Sequence, residues 1–141
     1  MKANEILETC LYVDDLAEAE AFYRRVLGLE VHSRQQGRHV FFHCGARMLL
    51  LFNPQESRHS DSDFPVHGAE GAGHVCFAVR DAEIEAWKQH LDRCGVEIEM
   101  VYEWSSGGHS VYFRDPAGNS LEVASPRIWR IDEDDALGRK P

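Results

Sequence analysis

The chain has 141 residues, 43% hydrophobic and 28% charged, with a formal net charge of -9. That length suits one domain, or two small modules sharing a sheet, with a real core. The acidity argues against a nucleic-acid partner, which calls for a basic footprint, and no run approaches the ~20 apolar residues of a membrane helix.

The first predicted strand is Leu7–Val13, where alternation puts Glu8, Cys10 and Tyr12 on one face and Thr9, Leu11 and Val13 on the other. A helix follows. Asp15 is its expected cap, with Glu18 completing a capping box. Leu16, Ala19, Phe22, Tyr23, Val26 and Leu27 form the inward stripe, and Gly28 suits the left-handed position that ends it. Strands are expected from Leu29–Val31, over His39–His43 and over Met48–Phe52, with turns near Gln36-Gly37 and at Cys44-Gly45-Ala46. This first module therefore reads β-α-β-β-β. Residues 53–73, with Asn53-Pro54, a Ser/Asp/His-rich run, Phe64-Pro65 and several glycines, read as a linker or long surface loop. His67 on it is a candidate lid residue, with a solvated loop histidine as the alternative.

The pattern then repeats. Gly73–Val79 matches Leu7–Val13 sixty-six residues on, so that His74 stands opposite Glu8, Cys76 opposite Cys10 and Asp81 opposite Asp15. Asp81 is expected to cap a second helix with Ile84, Trp87 and Leu91 inward, closed by Gly95. Val96–Ile98, Val111–Phe113 and Ser120–Ala124 are the matching strands, and Asp115–Asn119 is a tight turn. The chemistry-bearing face carries His74, Cys76 and Ala78 in one strand and Ser120, Glu122 and Ala124 in another. Module one is placed at 5–54, the linker at 55–72, module two at 73–126 and a peripheral tail at 127–141, where Trp129 is a candidate anchor. The four cysteines, without a C-x-x-C pair, read as reduced and mostly buried thiols. The lack of a signal-type apolar run near the N-terminus points to a cytoplasmic protein.

Tyr12-Val13-x-Asp15-Leu16, Phe22-Tyr23-x-x-Val26-Leu27-Gly28-Leu29, Gly73-His74-Val75-x-Phe77 and Tyr112-Phe113-x-Asp115-Pro116-x-Gly118-Asn119-x-Leu121-Glu122 together resemble the vicinal oxygen chelate superfamily, the glyoxalase/bleomycin resistance/dioxygenase family. The resemblance runs over about residues 5–126. It implies an α+β fold in which two tandem β-α-β-β-β modules form a cupped, incomplete eight-stranded barrel. It also implies a divalent metal, a small-molecule substrate and a homodimer. By resemblance to glyoxalase I, the metal ligands are Glu8, His74 and Glu122, and the fourth place falls at Leu49 or Leu50, neither of which binds metal. A His-Glu-Glu set with an open position suits Mn, Fe, Ni, Zn or Mg. Glu122 or Glu8 is then the base of lyase/isomerase chemistry through a metal-stabilised enolate. An extradiol-type dioxygenase and a non-enzymatic drug-binding protein are the alternatives. Leu50, Phe52, His109 and Tyr112 are the candidate substrate contacts. His109, beside Gly107-Gly108, has a surface turn as its alternative.

Overall fold

The computed structural model describes residues 1–59 and 64–138; part of the expected polar loop, 60–63, and the end of the tail lie outside the described residues. The chain divides into two compact units, Met1–Gly73 and His74–Pro141. No helix among the described residues is long and apolar enough to cross a membrane.

The first unit opens with β1 (Glu8–Tyr12), followed by helix α1 (Leu16–Leu27) and strands β2 (Glu30–Gln35), β3 (His39–Cys44) and β4 (Arg47–Phe52). The Asp15 carboxylate accepts the N–H groups of Ala17 at 3.0 Å and Glu18 at 2.9 Å, two of the donors that a helix start leaves unpaired. Gly28, at φ 65°, ends the helix in the left-handed conformation that a side chain would strain, and its N–H returns to the last turn. The strands order as β1-β4-β3-β2, with β1 and β4 parallel and the other pairs antiparallel. One face of this sheet carries Leu11, Val40, Phe42, Leu49 and Leu51, all buried with Ala19, Phe22, Tyr23 and Val26 of α1. Tyr23 and Phe42 rings meet at 5.8 Å. Helix packing covers that face only, which frees the other for Glu8, Cys10, Tyr12, Phe41, Leu50 and Phe52. The expected linker contains one helical turn, α2 (Pro54–Ser57), capped by Asn53.

The second unit repeats the plan with β5 (His74–Ala78), a 3-10 turn (Asp81–Glu83), α3 (Ile84–Arg93), β6 (Ile98–Glu103), β7 (His109–Arg114) and β8 (Ser120–Ala124). Its sheet orders as β5-β8-β7-β6, the same topology. Val111, Phe113, Leu121 and Val123 are buried on the face that takes Ile84 and Leu91 of α3. The Asp115–Asn119 turn closes as expected, with Asn119 N–H on Asp115 Oδ1 at 2.8 Å.

Six expectations change. Asp81 does not cap the second helix, because its carboxylate is taken by the backbone N–H of His109 at 3.0 Å and the His109 ring at 2.9 Å. The chain consequently enters through a 3-10 turn after Arg80, whose N–H is held by Glu83 at 3.2 Å. The sixth strand begins at Ile98 and not at Val96, because Gly95 and Val96 still donate to carbonyls of the preceding helix. Trp87 is half-buried against His90 and outside the core. Of the cysteines, Cys76 is exposed and the other three are half-buried. The tail is built: a 3-10 turn (Pro126–Trp129) leads to α4 (Glu133–Leu137), Glu133 accepts from Asp81 N–H at 2.8 Å and Ser125 Oγ at 3.0 Å, and Arg80 pairs with Asp134 at 2.9 Å. Trp129 is no anchor, being 75% exposed.

The Asp15 cap yields a direct test. Asp15→Ala should lower unfolding stability by about 1 kcal/mol, read as a reduced urea midpoint with an unchanged m-value, and Asp15→Asn should recover most of it.

Candidate metal and substrate site

Glu122 lies at the middle of β8, between two register partners: Cys76 on β5 and Tyr112 on β7. It is 5% exposed, and among the described residues its Oε1 is buried without a hydrogen-bond partner. Its other oxygen faces His74 Nε2 at 3.4 Å. His74 Nδ1 is 3.0 Å from the Ser120 carbonyl, which can only accept, so Nδ1 carries a proton and Nε2 is the nitrogen turned toward Glu122. A lone pair and a carboxylate facing each other need a positive charge between them, either a proton on Nε2 or a metal ion. The carbonyl that fixes the ring is the usual outer partner of a metal-binding histidine.

The neighbours feel the carboxylate. Desolvation by the surrounding protein pushes the Cys76 thiol up to about 12, and the Glu122 charge adds to it. Tyr112 is also raised, chiefly by desolvation, with Glu122 and Cys76 contributing and a Ser110 hydrogen bond opposing. Both groups therefore keep their protons at neutral pH and present donors to Glu122. The Tyr112 ring lies near-parallel to the His74 ring, with centroids 6.5 Å apart.

Glu8 belongs to the other unit, where it is exposed on β1 at the station that His74 occupies on β5. Among the described residues no three His, Cys, Asp or Glu side chains gather as a metal group. The pairing registers settle which leucine takes the fourth place. Cys10 pairs with Leu50 as Cys76 pairs with Glu122, so Leu50 is the counterpart of Glu122 and Leu49 points into the core. Phe52, paired with Tyr12 and His39, belongs to an aromatic group in which its ring lies 5.2 Å from Phe41 and 4.6 Å from His67. His67 Nδ1 and Tyr12 Oη share a hydrogen bond of 2.8 Å, so this linker histidine rests on the sheet. His109 alternates with Ser110 and Tyr112 onto the helix side of its sheet, where Asp81 holds it. Sequence reasoning passed over Cys76 as a small packing residue, although its spacing from His74 marks the shared face. The Ser120 carbonyl left no signal at all, since a backbone group is silent in a sequence.

The geometry agrees with what comparison with known proteins finds. The chain belongs to the Glyoxalase/Bleomycin resistance protein/Dioxygenase superfamily, whose sequence pattern matches residues 5–123. The crystal structure of a lactoylglutathione lyase from Agrobacterium tumefaciens is 48% identical and superposes with a TM-score of 0.90, over 93% of this chain and 100% of that one. The glutathione transferase FosA of Serratia marcescens is 29% identical over 116 residues, 80% of this chain and 74% of the relative. A glyoxalase/bleomycin resistance protein/dioxygenase from Nocardioides, 24% identical over 89% of this chain and 85% of that one, shares the fold with a TM-score of 0.71.

A buried carboxylate lacking a full set of partners costs stability, and an apolar residue of similar size removes that cost. Module one already holds leucine at this station. Glu122→Leu should therefore stabilise the metal-free protein by about 1 kcal/mol in urea denaturation. A destabilised variant would show that Glu122 is a structural residue.

Proposed function

We propose that this protein is a divalent-metal-dependent enzyme of lyase/isomerase type, acting on a small substrate that presents two neighbouring oxygens. The observation that supports it most is the orphaned Oε1 of buried Glu122 beside His74 Nε2, which faces the other carboxylate oxygen at 3.4 Å. His74 and Glu122 would hold the ion. One nitrogen with a carboxylate is a hard to borderline donor set, suited to Mn, Fe, Ni, Zn or Mg. It lacks the second histidine of the facial triad that serves iron oxygenases, which disfavours a dioxygenase. A bound ion would supply Lewis-acid charge against the two substrate oxygens.

The chain's own groups do the rest. Glu122 accepts a proton from the substrate and returns it, as a carboxylate in a site of low polarity can. The protonated Cys76 thiol and Tyr112 phenol orient that carboxylate. The names of two relatives, a lactoylglutathione lyase and a glutathione transferase, make a glutathione conjugate the first substrate class to examine.

The test joins metal content to turnover. Protein purified without an affinity tag should carry stoichiometric divalent metal by elemental analysis and interconvert lactoylglutathione with its precursor adduct. Glu122→Gln should lose turnover by a factor of ~100 or more, as for a missing general base. Mn should also raise the thermal midpoint of the parent and not of Glu122→Ala. A parent that takes up no metal from Mn, Fe, Ni, Zn or Mg would overturn the proposal.

A further inference from the structure

The two units share one more station, and they use it differently. Both second strands bulge against the third: the register slips between Val31 and Ser33 in β2 and between Ile98 and Met100 in β6. The slipped residues are His32 and Glu99, and a bulge of this kind re-aims the side chain it carries. Opposite them stand His43, which closes the same ladder as Glu30, and Arg114, which follows Phe113 as His43 follows Phe42. In the second unit the station holds an ordinary surface ion pair, with Arg114 Nε 2.8 Å from Glu99. In the first it holds two imidazoles, His32 Nδ1 3.0 Å from His43 Nε2, with the rings at 85° and centroids 4.8 Å apart.

From this we propose that His32 and His43 form a second metal site, a two-histidine chelate for a borderline transition-metal ion. Complementary charges explain the Glu99–Arg114 pair, whereas two neutral imidazoles share a single proton and two charged ones repel. A cation taking both nitrogens replaces that proton, which passes to water. The spacing fits, since nitrogens bound at right angles to one ion at ~2.0–2.1 Å stand about 2.9 Å apart. Terminal ring torsions of histidine are broad, so both lone pairs turn to a common point at small cost. Both side chains are exposed, which leaves the remaining coordination positions to water. Imidazole donors select Cu(II), Ni(II) and Zn(II) over Mg and Mn, with Cu(II) tightest. Binding requires both rings neutral, so it weakens on acidification.

This site shares no ligand with Glu122, and the experiment keeps the two apart. Full-length, tag-free Glu122→Ala protein is titrated with Ni(II) and with Cu(II) by calorimetry. The Cu(II) complex is then examined by electron paramagnetic resonance. One saturable event per chain, with hyperfine splitting from two equivalent nitrogens, is expected. In the Glu122→Ala background, adding His32→Glu and His43→Arg together copies the ion pair of the other module and should abolish the event. Adding His43→Gln alone is the milder check, and it should abolish the two-nitrogen signal while the urea midpoint is unchanged. No binding to Glu122→Ala, binding that survives the double change, or a two-nitrogen signal that survives His43→Gln overturns the proposal. Neither result depends on whether the Glu122 site holds metal.

Discussion

A carboxylate oxygen without a partner, inside a sheet, is the constraint on which the second unit turns. Glu122 reaches that position because β8 runs centrally, parallel to β5 and antiparallel to β7. Every flanking group then has to answer to its charge. His74 turns its free nitrogen toward it, and Cys76 and Tyr112 hold their protons beside it. An arrangement that leaves a charge short of partners is poor for stability and good for binding a cation. That tension is the physical basis of the functional reading.

The duplicated plan lets each station be compared with a counterpart on the same backbone. Leucine at position 50 and glutamate at position 122 occupy equivalent places, as do Glu8 and His74. Asp15 caps a helix, whereas Asp81 is drawn away by His109 and the helix starts through a 3-10 turn. The bulge of one sheet carries an ion pair and that of the other a histidine pair. Backbone geometry is held by strand pairing and by one buried face per sheet. The opposite face is free to change its chemistry without cost to the core. Function in such a fold belongs to side chains placed on it, not to the fold itself.

Much of the fold was legible in the sequence because its signals are local. Period-two alternation, the Asp15 and Gly28 helix ends and the Asp115–Asn119 turn each act within a few residues. The repeat of Gly73–Val79 against Leu7–Val13 gave the station of His74 opposite Glu8, and the parallel ladders keep it. The tail was harder to read. It reads as peripheral, but Glu133 and Asp134 meet Arg80 and the Asp81 N–H, groups more than fifty residues away in the chain. The choice between Leu49 and Leu50 was equally out of reach, since neighbouring leucines are told apart only by register.

The sequence by itself determined the two-module α+β plan, the face that Glu8, His74 and Glu122 share with their strand neighbours, and the family to which these belong. These follow from alternation and repetition, which the chain carries in its own order. Only the tertiary structure decided which groups touch. The Ser120 carbonyl that orients His74, the missing partner of Glu122 Oε1, the loss of Asp81 to His109 and the meeting of His32 with His43 depend on long-range pairing. Contacts between residues distant in the chain are set by strand register and bulges, and a one-residue slip would reassign each of them.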